Sequence, residues 1–549
     1  KMPLIRRLPS LSKNLSRVLL NHQRCESSTH SLATNGGHYE PRSKEDHYPL
    51  WMEEASLYVH WPYCQKRCTY CNFNKYVTPT IDQNRMRACL VREAQTLIKL
   101  SGVKQVNSIF FGGGTPSLAE PRVLEGVIEA VEELVAMPTD VEISMEANPT
   151  SVEMKKLEDF KSAGVNRLSL GIQALDSNDL KTLGREHTVG QSLACIHEAR
   201  KLFPDRLSID IIFGRPSQTL NSWEAELEQT LQVCDSHISL YQLTLEPGTL
   251  LYKFDQQGVL PMPDADLIAD MYETAVERLA QAGFHRYEVS NFARTMRAES
   301  IHNKAYWEGK QYIGVGPGAH GRFVPITEQF ADNADPSGKR GYSQSLPNGK
   351  RGYSQSLPNG KRGYSQSLPS HSKGHDESKE RTINKQSNKN LIKLSTAAKS
   401  NNDHQSRELS VTAVTEQIGA TPDDVPTLPQ REARIQTLEP DTWMLEVEKY
   451  GDATRKRIPL SNVDVLRELL LTGLRTRPGI SDQTWQQLSP GDCLRDVFGS
   501  SDFIKSARES GLMELDDAGL RCIHRGLNVL DSLLPDLTEI LNSHYDRQS

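Results

Sequence analysis

Cys64, Cys68 and Cys71 lie in the string "HWPYCQKRCTYCNF", residues 60–73. A third of the nine cysteines in 549 residues therefore fall within eight positions. The others (Cys25, Cys89, Cys195, Cys234, Cys493 and Cys522) are scattered, which is not the pattern of a secreted disulfide framework. Thiolates bind soft metals, and Cys-x3-Cys-x2-Cys lets three sulfurs converge from one tight loop. Structural zinc takes four ligands, and His60, four residues before Cys64, is a candidate for the fourth. An iron–sulfur cluster is normally held by four cysteines. Three would leave one iron open, and an open metal position is where substrate or cofactor binds. The spacing alone is compatible with zinc, with a cluster, or with free or disulfide-bonded thiols.

Something must position these thiols. From about Ser56 to Phe292 short β-rich runs alternate with stretches of helical periodicity. The expected strands are "SLYVHW", "VNSIFFGG", "VEISMEA", "RLSLGI", "RLSIDIIFG", "ISLYQLTL" and "RYEVSNF". Such alternation predicts an α/β fold with a parallel sheet, and six or seven units predict a full or partial TIM-type (β/α) barrel. Chemistry in these folds sits at the carboxyl ends of the strands. The cysteines follow the first strand, so they belong to that end. Near the chain's end "TWMLEVEKY" reads as a strand and "VDVLRELLLTGLRT" as a helix. "GLMELDDAGLRCIHRGL" reads as a hairpin before a closing helix, which together predict a small α+β domain.

The cysteine spacing, with Tyr70 before the third cysteine and the whole placed after a first strand, resembles the radical S-adenosylmethionine superfamily. That resemblance implies a 4Fe–4S cluster on Cys64, Cys68 and Cys71, with S-adenosylmethionine chelating the open iron. It also implies one-electron cleavage of the sulfonium to a 5′-deoxyadenosyl radical, the cofactor carrying the hard chemistry. The implied cofactor contacts follow in chain order. "FFGGGTPS" contributes Gly113, Gly114 and Thr115, a loop that meets the methionine amino group. Glu146 accepts the ribose hydroxyls, and Arg185 pairs with the methionine carboxylate. Gln173, Asp210 and Tyr58 complete the set. Each alone also reads as an ordinary cap, ion pair or core residue.

Within that superfamily, "LYVHWPYCQKRCTYCNF", "GVNRLSLGIQALD", "DIIFGRPSQT", "YEVSNFAR" and "IGVGPGAHG" resemble the oxygen-independent coproporphyrinogen III oxidases and their HemW-type heme chaperone relatives. The oxidase branch has a further cysteine two places after the third, where this chain has Phe73. That departure implies the chaperone branch: a protein that binds heme and passes it to acceptor hemoproteins such as respiratory enzymes, without oxidase activity. Coproporphyrinogen III oxidation is the alternative, and a zinc module with a basic arm a third reading. "HNKAYW" matches a His-Asn-x-x-Tyr-Trp motif linked to heme in that branch, which makes His302, Tyr306 and Trp307 candidate heme contacts. His60 and His320 are other candidate iron ligands. An electron donor is a required partner if the cluster is reduced.

Composition sets the surroundings. Hydrophobic residues are 37% of the chain and the net charge is −6, which implies no general attraction to nucleic acid. No apolar run approaches the roughly 18 residues of a membrane span. Residues 1–25 carry six Lys or Arg and no acid, the composition of a mitochondrial presequence. "GKRGYSQSLP" occurs three times between Gly338 and Pro369, and residues 338–408 hold 14 basic against five acidic residues. A segment this polar buries too little surface to offset its ordering entropy, so a disordered spacer is expected. The expected division is a presequence and linker over 1–45 and a radical S-adenosylmethionine core over 46–325. A disordered insertion over 326–430 and a HemN-type C-terminal domain over 431–549 follow.

Overall fold

The computed structural model describes residues 50–326 and 430–547. The basic leader and the three repeats lie outside them. Six strands run parallel, each beside the next in sequence: β1 (Glu54–Trp61), β2 (Gln105–Gly113), β3 (Glu142–Ala147), β4 (Arg167–Gln173), β5 (Leu207–Phe213) and β6 (His237–Gln242). Helices return the chain between them, among them Gln83–Ser101, Pro121–Glu132, Val189–Leu202 and Leu220–Val233.

Side chains alternate between the two faces of these strands with period two. Leu57, Val59, Ile109, Phe111, Ile143, Met145, Leu168, Leu170, Ile209 and Ile211 join helix residues such as Leu90, Leu97 and Trp223 in one apolar core. The residues between them are largely polar. Parallel strands covered on both faces usually read as continuous apolar runs. Here the second face lines the inside of the barrel, and its polar groups satisfy one another. Ser108 Oγ donates to Ser56 Oγ at 2.9 Å, Ser169 Oγ to Asp210 Oδ2 at 2.8 Å, and Ser208 Oγ lies 2.8 Å from His237 Nδ1.

The barrel is partial. The run "RYEVSNF" is not a seventh parallel strand but a hairpin of β7 (His285–Glu288) and β8 (Asn291–Ala293), with β8 antiparallel to β6. Its turn is fixed because Ser290 N donates to Glu288 Oε1 at 3.0 Å and Val289 N to Arg475 O at 3.1 Å. At the other edge β9 (Tyr312–Val315) lies parallel to β1, followed by antiparallel β10 (His320–Phe323), β11 (Glu432–Gln436) and β12 (Thr454–Pro459). The large sheet thus reaches past residue 430. "TWMLEVEKY" is a helix, Pro440–Tyr450, not the strand its β-branched and aromatic residues suggested. Glu439 caps its start, Pro440 occupies its first turn and Gly451 closes it in the left-handed conformation. Trp443, Met444 and Val447 then share one buried face.

Residues from Leu466 onward build a second apolar core around Leu470, Trp485, Phe498 and Leu537. It contains the hairpin β13 (Met513–Asp516) and β14 (Gly519–Cys522) and the closing helix Leu530–Asp546, as the periodicity predicted. Arg286 of β7 ties this module to the sheet, donating to Asn528 Oδ1 at 2.7 Å and to His524 O at 2.8 Å. The short helix Ile301–Trp307 stops the amino-terminal end of the barrel. Glu142, the first residue of β3, accepts from Ile301 N, His302 N and Ser300 Oγ at 3.0–3.1 Å.

Candidate cofactor site

The chain leaves β1 at Trp61 and crosses the carboxyl end of the sheet. Paired backbone bonds close the loop: Cys64 N to Tyr76 O at 2.9 Å and Tyr76 N to Pro62 O at 2.7 Å. Its middle is held by Thr69 N on Leu183 O at 3.1 Å, and its far side by Asn74 Nδ2 on Pro317 O at 2.8 Å. Within this frame Cys64, Cys68 and Cys71 are free and half-buried. The scattered cysteines among the described residues are buried. Two sulfurs already receive hydrogen bonds. Thr115 Oγ1 donates to Cys64 Sγ at 3.5 Å and Arg185 Nη1 to Cys68 Sγ at 3.2 Å. Donors of this kind steady a thiolate and tune a metal it holds. Burial pushes the Cys64 thiol up, and the Thr115 hydroxyl works against that.

His60 is not free to complete a zinc site. Its Nδ1 pairs with Tyr58 Oη at 3.0 Å and its Nε2 with Asn74 O at 2.9 Å. Among the described residues no three Cys, His, Asp or Glu side chains close on a single point, as one metal ion needs. A cluster of four irons takes its sulfurs at separate corners. The donor set of three accessible thiols in one loop fits that group.

The three cysteines share a cavity of about 550 Å3 with Gly113, Gly114, Thr115, Glu146, Gln173, Arg185 and Asp210. The sheet thus brings seven of the expected cofactor contacts to one place: Gly113, Gly114, Thr115, Glu146 and Gln173 at or just beyond the ends of their strands, Asp210 inside β5, and Arg185 after the short helix that follows β4. The glycines serve packing as well as approach. A Cβ on Gly114 would lie 2.7 Å from Tyr63 O, and one on Gly113, at φ +113°, would lie 2.5 Å from His60 Cε1. Gly113 N donates to Glu146 Oε2 at 3.0 Å. Burial and the neighbouring Asp210 push the Glu146 carboxyl up to about 7. Gln173 adopts φ +71°, a left-handed conformation uncommon for a side chain of its size. Arg185 reaches Gly171 O at 2.9 Å and Asn148 Oδ1, while its buried Nε has no partner. A guanidinium with an unspent donor suits an anionic ligand group.

Five candidates stand elsewhere. Tyr58 lies on the inner face of β1, stacked on Phe110 with ring centroids 6.2 Å apart, and does not line the cavity. His302 sits at the opposite, amino-terminal end. Its Nδ1 meets Ser108 Oγ at 3.1 Å, its ring stacks on Phe110 at 4.9 Å, and burial pushes it down to about 4. Tyr306 is exposed beside it, and Trp307 packs under Arg475 at 4.6 Å. His320 is exposed on β10. Sequence reasoning missed Asn148 and Glu153, which also line the cavity. Asn148 bridges Arg185 and Thr115, and Glu153 accepts from Asn148 N at 2.9 Å. Their signal was present in "EANPTSVE", where Thr150 caps a helix whose third residue is Glu153.

Known proteins resemble this chain in sequence and in fold. Residues 58–229 match the radical SAM superfamily model and residues 460–529 the HemN C-terminal domain. The chain is 42% identical to radical S-adenosyl methionine domain-containing protein 1, mitochondrial, of Bos taurus, over 90% of each chain. It is 36% identical to heme chaperone HemW of Bacillus subtilis, over 48% of this chain and 70% of that one. Coproporphyrinogen III oxidase HemN from Escherichia coli superposes with a TM-score of 0.58 at 18% identity, covering 89% of this chain and 90% of that one, a likeness of fold. The mouse and zebrafish relatives, Mus musculus and Danio rerio, carry the same mitochondrial name at 43% and 41% identity. At this identity and coverage the chain belongs to the family of mitochondrial radical S-adenosyl methionine domain-containing protein 1.

Proposed function

We propose that this protein is a heme chaperone. It holds a 4Fe–4S cluster on Cys64, Cys68 and Cys71, binds S-adenosylmethionine in the adjoining cavity, binds heme, and passes it to mitochondrial hemoproteins. The observation that carries the cofactor part is the single cavity in which three half-buried thiols face Glu146, Arg185 and Asp210. The heme part rests on the likeness to HemW.

When bound, a reduced cluster with an open iron supplies the electron that cleaves the sulfonium. The chain's own residues prepare the place. Arg185 offers its free Nε to the methionine carboxylate while its Nη1 keeps Cys68 oriented. Glu146, fixed by Gly113 N, faces the cavity as an acceptor for ribose hydroxyls. The sharp left-handed turn at Gln173 ends β4 at the cavity wall. Phe73 stands 62% exposed on the same cavity, at the place where the oxidase branch has its further cysteine.

The chaperone and oxidase readings part on one incubation. Reconstituted protein, reductant and S-adenosylmethionine are mixed with coproporphyrinogen III, and hemin is titrated in parallel. We expect about one hemin bound per chain and the porphyrinogen unchanged. Decarboxylation of the porphyrinogen with release of 5′-deoxyadenosine would make the protein an oxidase.

A further inference from the structure

A second cavity, of about 980 Å3, lies under the amino-terminal ends of β1 and β2 and shares no residue with the cysteine cavity. The short helix Ile301–Trp307 forms one side and the C-terminal module, through Pro478 and Leu488, another. Its volume is at the top of the range of about 300–1,000 Å3 for ligand pockets, enough for a large rigid ligand. Trp51, Ile301, Ala305, Pro478 and Leu488 give it apolar walls.

One wall residue has unspent hydrogen-bonding capacity. Arg431 is 7% exposed, and its Nη2 donates to Gly309 O at 2.8 Å. Its Nε has no partner, and among the described residues no carboxylate pairs with it. Burying a guanidinium without a paired anion is costly. Glu468 acts on Arg431 from beyond ion-pair distance and is itself paired with Arg322 at 3.1 Å. The guanidinium also lies 5.9 Å from the Trp51 ring centre, which makes a flat aromatic wall beside the charge. The other cations of the cavity are already paired: Lys304 with Glu299 at 2.7 Å, Lys310 with Glu308 at 3.0 Å, and Arg521 with Asp516 at 2.7 Å. Glu54 and Asp140 also line the cavity, and Arg431 is the lining cation with no carboxylate paired to it among the described residues.

We infer that this lower cavity is a binding site for a large planar aromatic carboxylate, with Arg431 pairing its carboxylate and Trp51 and Leu488 flanking its apolar body. The identity of the ligand rests on the heme reading above: a porphyrin has this shape, and its propionate would meet Arg431. Heme would then sit at the end of the barrel opposite to the cysteines, beside the helix that carries His302.

The test is a hemin titration followed by absorbance, using the full chain, Arg431→Gln, Leu488→Trp, and hemin dimethyl ester, which lacks free carboxylates. We expect the wild type to bind hemin, and Arg431→Gln and Leu488→Trp each to weaken it roughly tenfold or more. The ester should bind the wild type as weakly as hemin binds Arg431→Gln, a result that needs no substitution and so no concern for folding. If hemin, ester and both variants all give the wild-type affinity, the inference is overturned and the heme reading stands. If the wild type binds no hemin at all, the heme reading falls and takes this assignment of the cavity with it.

Discussion

Glu146 shows how burial prepares a residue for a ligand. Its carboxyl is held near 7 by burial and by Asp210, against an ordinary value of 4.5. In the folded chain it therefore stays protonated where the unfolded chain has already ionised. Its contribution to stability is complete below about pH 4.5 and is lost as the pH rises through 7. Glu146→Gln removes that loss. The melting temperature of the ligand-free variant should fall less between pH 5 and 7.5 than that of the wild type, and an unchanged slope would contradict the assignment. The same variant should bind S-adenosylmethionine about tenfold more weakly, because an amide accepts fewer hydroxyls. At this scale much of the site was legible. Thiols in one loop, a glycine run and carboxylates at strand ends are residue types whose placement carries chemistry. What was not legible is mutual orientation. Nothing in the string "LGREH" shows that Arg185 would divide its guanidinium among Cys68, Asn148 and Gly171. Nothing in "LYVHW" shows that Tyr58 would spend its hydroxyl on His60.

The end of β2 is the element on which the cysteine loop rests. Gly114 N donates to Trp61 O at 2.7 Å and Thr115 N to Tyr63 O at 2.9 Å, so the glycine run and the start of the loop are zipped together. Gly114→Ala would push a methyl into the Tyr63 carbonyl at 2.7 Å. We expect a cost of about 2 kcal/mol, in the range of overpacked sites, and a loss of at least half the iron taken up on reconstitution. Full iron content in that variant would separate the glycines from the loop. The strands of the barrel were readable because their outward residues are apolar and β-rich while their inward residues are polar. Two elements were not. "TWMLEVEKY" carries β-forming residues, but its fate is decided by the cap at Glu439, the stop at Gly451 and a buried partner. That partner is Glu93, whose carboxylate, buried among apolar neighbours, accepts from Trp443 Nε1, Gly316 N and Ala453 N at 2.7–3.0 Å. "RYEVSNF" reads as one strand because its turn is set by Arg475, almost two hundred residues away.

At the scale of the molecule, one polar-lined partial barrel separates two cavities. The cysteines hold the carboxyl end of the strands, and the His302 helix and the C-terminal module enclose the other. The carboxyl end of the barrel is, in the reading proposed above, a cluster site open to S-adenosylmethionine. Electron paramagnetic resonance of the anaerobically reconstituted, reduced full chain, with and without S-adenosylmethionine, beside a Cys64→Ala/Cys68→Ala/Cys71→Ala variant, decides this. We expect about four irons per chain, a reduced-cluster signal in the wild type alone, and a change in that signal when S-adenosylmethionine is added. An equal iron content in the variant, or a wild-type signal indifferent to S-adenosylmethionine, would contradict it.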